Sequence, residues 1–248
     1  MLYVANSGAG TISAIDVGAW KVVGQPVAVA PEPTELTVSV AAHRLYALSK
    51  KSQTITEVNT ETMQTVGGPL ASGPNPADIA VDEKGERLYV AGGDSDTVAV
   101  IDTKTWQPAR SPITVKSKLR DLTPGPDGAL YAIGSTSYAV INTKAETTRP
   151  TPVDVPAGSR IAASDGKKLY ILGSEDNQGT AGTDDVVRIV DLGKHQVVGS
   201  LTDDLGVAVE LVVSPDGQRM YVSNFYQDGI LVLDTVGPKV IGKIELKS

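Results

Sequence analysis

Five residues of this 248-residue chain recur in one column and could do chemistry together: Glu35, Asp78, Asp121, Arg160 and Glu210. Each stands nine or ten residues before a Leu-Tyr or Met-Tyr pair. Carboxylates held close together raise each other's proton affinity and attract a cation. The chain has no cysteine, and carboxylates with water suit Ca2+ or Mg2+. Glu35, Asp78, Asp121 and Glu210 are therefore the candidate metal ligands. A divalent ion there would polarise a carbonyl or activate a water. In that setting Asp78, Asp121 or Glu210 would act as general base, and Arg160 would orient a substrate carboxylate or steady an oxyanion. Without such chemistry the same five residues form a ligand-binding ring. The plainer alternative is that each Asp braces its own loop.

Other candidates are weaker. Phe225, the single Phe, forms an aromatic pair with Tyr226 that could stack on a ligand or pack against a neighbouring element. The fifth repeat carries an insertion within Ser174–Asp185, holding Glu175, Asp176, Asp184 and Asp185, which reads as a binding loop or a tolerated surface loop. Lys116, Lys118 and Arg120 form one basic cluster, read as a solvated loop. A further column, Trp20, Met63, Trp106, Glu146, His195 and Pro238, falls on the opposite face. It is read as an exposed partner patch or as rings folding back on their own hairpins. His43 and His195 both lie on that opposite face, so neither is placed as a base for the acidic column, which weakens a His-dependent mechanism. Gly8-Ala9-Gly10 is not followed by a helix and is no phosphate loop.

The elements that position these residues come from internal repeats. The pair recurs as Leu2-Tyr3, Leu45-Tyr46, Leu88-Tyr89, Leu130-Tyr131, Leu169-Tyr170 and Met220-Tyr221, at spacings of 43, 43, 42, 39 and 51 residues. It takes six of the eight tyrosines. An apolar residue followed by Asp or Asn lies downstream, at Asp16, Asn59, Asp102, Asn142, Asp191 and Asp234. This column is structural, since Asx side chains bond their own backbone at turns. Segments between the signals are β-branched and short, and turn chemistry such as Pro126-Asp127-Gly128, Ser164-Asp165-Gly166 and Pro215-Asp216-Gly217 separates them. No capped amphipathic run is present, which predicts almost no helix. In the third repeat the four strands are Ala77–Asp82, Leu88–Ala91, Val98–Ile101 and a weaker outer one at Ser111–Val115.

Four strands in each period of about 40–50 residues predict an all-β, six-bladed β-propeller of four-stranded blades. The reading is a single domain over residues 1–248, with repeats starting near Leu2, Leu45, Leu88, Leu130, Leu169 and Met220. The first repeat opens directly on its second strand. The inner strand of blade one is therefore missing or supplied abnormally, and a truncated N-terminus is the favoured explanation. Ligand sites would sit at the channel mouth, where the acidic column converges.

Tyr3-Val4-Ala5-Asn6 and Tyr221-Val222-Ser223-Asn224, with Ile101-Asp102-Thr103 and Ser214-Pro215-Asp216-Gly217, resemble the YVTN repeat propellers, the surface-layer and lactonase-like group. The resemblance covers the whole chain. Tyr46-Ala47-Leu48-Ser49 and Tyr131-Ala132-Ile133-Gly134 depart from the signature. It implies the propeller fold and an extracytoplasmic protein, and leaves function open between two classes. One is a ligand- or partner-binding propeller using the channel-mouth face, which is the reading preferred here. The other is a divalent-metal-assisted lactonase, hydrolase or lyase at the acidic ring.

Composition bounds the rest. With 22 Lys+Arg against 29 Asp+Glu, the net charge of −7 disfavours nucleic acid, because phosphate contacts need clustered bases. No apolar stretch is long enough to span a membrane. Absence of cysteine excludes disulfides, a thiolate nucleophile and a Cys-ligated zinc site. There is no signal peptide at the start, so a cytoplasmic location is the alternative. The expected partner is a small molecule or a protein, and the oligomeric state is unread.

Overall fold

The computed structural model describes residues 1–115, 117–125, 128–134, 137–144, 147–154, 161–174, 185–201, 205, 208–214, 216–224, 229–236 and 239–245. It contains six antiparallel sheets in chain order, which we call blades 1 to 6. Blade 1 has β1 (Leu2–Asn6), β2 (Thr11–Asp16) and β3 (Lys21–Ala28). Blade 2 has β4 (Glu35–Ser39), β5 (Arg44–Ser49), β6 (Thr54–Asn59), β7 (Gln64–Thr65) and β8 (Leu70–Ala71). Blade 3 has β9 (Pro76–Val81), β10 (Arg87–Gly92), β11 (Thr97–Asp102), β12 (Gln107–Pro108) and β13 (Ile113–Thr114). Blade 4 has β14 (Leu119–Pro124), β15 (Ala129–Gly134), β16 (Ser137–Asn142) and β17 (Thr147–Asp154). Blade 5 has β18 (Ile161–Ser164), β19 (Lys168–Ser174), β20 (Asp185–Asp191) and β21 (Gln196–Leu201). Blade 6 has β22 (Ala208–Val213), β23 (Arg219–Asn224), β24 (Ile230–Asp234) and β25 (Lys239–Ile244). The described residues contain no α-helix, and none is long and apolar enough to cross a membrane.

The fourth strand is where the sheets differ from the expected pattern. In blades 2 and 3 it is broken in two, as β7 with β8 and β12 with β13, so the third repeat's outer strand is Gln107–Pro108 plus Ile113–Thr114 rather than Ser111–Val115. Gly67 at φ 75° interrupts one, and Pro112, which has no N–H to give the ladder, precedes the resumption of the other. In blades 1, 4, 5 and 6 the strand is continuous but slips register once. Among the described residues blade 1 has three strands, as the missing inner strand predicted.

The backbone divides into two compact units, Met1–Leu122 and Thr123–Ser248. In the first unit, Leu45 and Ala47 of β5 join Ile12 and Val27 of blade 1, while Tyr46 and Leu48 join Ile79, Val81, Leu88 and Val90 of blade 3. In the second, Leu169 and Ile171 of β19 pack with Tyr131, Ile133 and Tyr138 of blade 4, while Tyr170 and Leu172 pack with Leu211, Met220 and Val222 of blade 6. Successive side chains of a strand point to opposite faces. The Leu of the recurring pair therefore faces the preceding blade and the Tyr the following one, and both faces are buried. That is why these strands are apolar throughout rather than alternating.

The tyrosine hydroxyls explain the Asp-Thr step of the repeat. Tyr46 hydrogen-bonds Thr103 and Tyr170 hydrogen-bonds Thr235, each in the next blade. Thr103 Oγ1 in turn donates to Gly85 O at 2.6 Å, Thr143 Oγ1 donates to Gly128 O at 2.7 Å, and Thr235 Oγ1 donates to Gly217 O. Burial pushes the Tyr46 and Tyr131 phenols up to about 12; the Glu57 charge adds to it at Tyr46 and Tyr138 at Tyr131.

Candidate functional site

Three members of the acidic column lie together in the first unit, on the first strands of consecutive sheets. Glu35 opens β4, Asp78 is the third residue of β9, and Asp121 is the third residue of β14. Asp78 and Asp121 are 7% and 6% exposed. Asp78 Oδ2 accepts the backbone N–H of Leu122 at 2.6 Å, and its carboxyl also takes the N–H of Ile79. Burial holds its proton affinity well above the ordinary carboxylate range, and the charges of Asp121 and Glu35 add to it. Glu35 is ion-paired with Lys50 Nζ at 2.5 Å. Lys50 was not a sequence candidate. It directly follows β5, the strand paired with β4, and that adjacency was the available signal.

Asp78 is therefore a bracket between sheets, and not a brace of its own loop. Its acceptor sits on β9 and its donor on β14, 44 residues later. Thr37 does the same one sheet earlier, where its Oγ1 accepts the N–H of Val81 at 3.1 Å. In the second unit Asp185, counted above with the insertion, has Oδ2 2.7 Å from the N–H of Ala208 at the start of β22. The fourth carboxylate, Glu210, lies in β22, where its Oε1 accepts the N–H of Leu211 at 3.3 Å. Arg160, the aromatic pair Phe225 and Tyr226, Lys116, and Glu175 to Asp184 of the insertion lie outside the described residues. Lys118 and Arg120 are exposed.

Among the described residues, no group of three His, Asp or Glu side chains is arranged to hold a metal ion. What the trio of Glu35, Asp78 and Asp121 offers is a focus of negative charge with one carboxyl predisposed to hold a proton.

The Asp/Asn column is turn chemistry, as expected. Asp16, Asn59, Asp102 and Asp191 each accept two backbone N–H groups from residues two and three positions on, at 2.8–3.1 Å. Asn142 and Asp234 accept the N–H two positions on. The residue four positions after the Asx is left-handed: Trp20, Met63, Trp106 and His195 have φ of 55°, 51°, 55° and 51°. Such a conformation places the side chain against a neighbouring blade, not back on its own outer hairpin. Trp106 stacks on Tyr46 of blade 2 with centroids 6.3 Å apart, and Met63 packs on the blade 1–blade 2 cluster. His195 Nδ1 meets the Tyr138 hydroxyl of blade 4 at 3.1 Å. Trp106 is half-buried, so the column is not simply an exposed patch. His43, in the turn after β4, faces Glu61 at 3.6 Å, at the far end of β4 from Glu35.

No family model matches the chain, and no curated protein matches it. Solved structures do. One is hydrazine synthase of Kuenenia stuttgartiensis, with a TM-score of 0.66 and 19% identity over 94% of this chain and 73% of that one. Another is a chain of a nidogen/laminin complex, with a TM-score of 0.73 and 13% identity over 97% of this chain and 92% of that one. Identities this low speak for the fold alone. By its six sheets and these neighbours, the chain is a six-bladed β-propeller.

Proposed function

We propose that this propeller is a binding module of the YVTN repeat type. Its site is the acidic group on the first strands, centred on Glu35, Asp78 and Asp121, and its ligand or protein partner presents a cationic group. The observation that carries it is the placement of three carboxylates on the first strands of consecutive sheets, one of them buried with a raised proton affinity. A positive group placed beside such a carboxyl favours its ionised form, and the proton is released to solvent. The fold itself supports binding, and one structural neighbour is part of a protein–protein complex.

The test is a thermal-shift titration with Ca2+, Mg2+, Mn2+ and a lysine-rich peptide, each against EDTA. A ligand at about 100 times its Kd stabilises by about 2.7 kcal/mol, which raises Tm by about 5–10 °C in a chain of this size. A rise that grows with pH and is lost in Asp78→Asn with Asp121→Asn supports the site. No shift with any of the four probes sinks it.

A further inference from the structure

Adjacent residues of β19 face different blades. Leu169 and Ile171 pack against blade 4, and Tyr170 and Leu172 against blade 6. The two seams use the same column positions and differ at one of them. Between blades 5 and 6 the Tyr170 hydroxyl bonds Thr235, and Thr235 Oγ1 donates on to Gly217 O. Asp185 Oδ2 ties the same seam through the N–H of Ala208 at 2.7 Å. Between blades 4 and 5 the threonine is replaced. Leu192 follows Asp191 where Thr235 follows Asp234 and Thr103 follows Asp102. The backbone is placed alike: Leu192 N–H donates to Lys167 O at 2.9 Å, as Thr235 N–H does to Gln218 O at 3.2 Å. The Leu192 side chain packs on the cluster that holds Tyr131. Among the described residues the Tyr131 hydroxyl makes no hydrogen bond.

The polar link at this seam comes from another position. Tyr138 of β16 meets His195 Nδ1 at 3.1 Å. Tyr138 is buried, whereas His195 is half-exposed, in the turn after β20 at φ 51°. Tyr170 and Thr235 are both buried. A bond with one end at the rim competes with water, and one enclosed at both ends does not. Leucine returns apolar contact, and the seam keeps Ile133, Leu169, Ile171 and Val190 in its core. What it lacks is the directional tie between hydroxyls.

We propose that the seam between blades 4 and 5 opens ahead of the seam between blades 5 and 6, and that the Tyr138–His195 bond is the latch that closes it. In such an opening each blade keeps its own backbone ladder, and only side-chain contacts between the two blades part. Local openings that cost less than global unfolding are drawn from places with fewer ties. The device is independent of the cation-binding reading, since Glu35, Asp78 and Asp121 all belong to the first unit.

The chain has no cysteine, so single thiols report each seam cleanly. Ile171→Cys and Leu172→Cys place a thiol at neighbouring, fully buried positions of one strand, the first toward blade 4 and the second toward blade 6. Unfolding of the chain, or of blade 5, exposes both alike. The rate of labelling by a soluble disulfide reagent is measured on each full chain under native conditions, beside its stability in urea. Once each rate is divided by what its own global unfolding allows, Ile171→Cys should label at least about tenfold faster than Leu172→Cys. In the Ile171→Cys chain, Leu192→Thr gives Tyr131 a partner and slows labelling about two- to tenfold, the range of one net hydrogen bond. His195→Gly removes the latch at a left-handed position that glycine adopts without strain, and speeds labelling by a similar factor. Neither change moves the labelling of Leu172→Cys. Thr235→Leu is the converse variant and speeds labelling of Leu172→Cys. Equal labelling of the two thiols at the rate of global unfolding overturns the proposal. So does faster labelling of Leu172→Cys, or an Ile171→Cys rate that His195→Gly leaves unchanged.

Discussion

Asp78 offers the most direct test of how the acidic group is built. Two substitutions separate its charge from its role as acceptor. Asp78→Asn keeps an oxygen for the Leu122 N–H and removes the charge. Asp78→Ala removes both, and leaves that N–H without the acceptor now 2.6 Å away. An orphaned buried donor costs about 1–3 kcal/mol. At about 2–4 °C per kcal/mol, the Ala variant should melt about 2–12 °C below the Asn variant, with little dependence on pH. The charge behaves differently. The folded chain holds the Asp78 proton more tightly than the unfolded chain, whose value is near the ordinary 3.8. The stability this gives is complete below that value and is lost as pH rises through the folded one. Relative to Asp78→Asn, the wild type should therefore match it below the ordinary carboxylate value and fall progressively behind as pH rises above it. Calorimetry of the three proteins at stepped pH reads both effects. A wild-type-minus-Asn difference that stays flat with pH would refute the buried, repelled carboxyl. An Ala variant as stable as the Asn variant would refute the bracket to Leu122.

Two further outcomes follow from the packing between sheets. At Trp106 the left-handed backbone costs a side chain about 1–2 kcal/mol that glycine is spared, and the indole N–H is buried with no acceptor to lose. Trp106→Gly should lose stability through the ring's contact with Tyr46, yet remain about 1 kcal/mol more stable than Trp106→Ala, reversing the usual order of the two residues. Urea unfolding of the pair decides it, and an Ala variant above the Gly variant contradicts the conformation. In alkali, the phenols of Tyr46 and Tyr131, pushed up to about 12 by burial, keep their protons in the fold past the ordinary 10. The stability they give is full below about pH 10 and is lost as pH climbs toward 12. Phenolate absorbance should therefore rise together with unfolding in that window, and Tyr46→Phe should blunt the alkaline loss.

Much of the architecture was legible because it is local or periodic. The Asx residues bind N–H groups two and three positions on, so Asp16 or Asp102 announces its turn without knowledge of the fold. The Leu-Tyr column recurs because the strands of blades 2, 3 and 5 that carry it are buried on both faces, and that demand repeats from sheet to sheet. From these the number of blades, the near absence of helix and the three-stranded first sheet could all be read. The choice of partner across sheets could not. Asp78 reaches a backbone N–H 44 residues away and Trp106 reaches Tyr46 because stacking and a left-handed φ aim them there. The break in the fourth strands of blades 2 and 3 likewise depended on how their edges pair, not on strand propensity alone. Repeat spacing determines which residues come level with one another. Which of them touch is decided by the direction of each side chain once the sheets are packed, and that direction is a property of the tertiary structure.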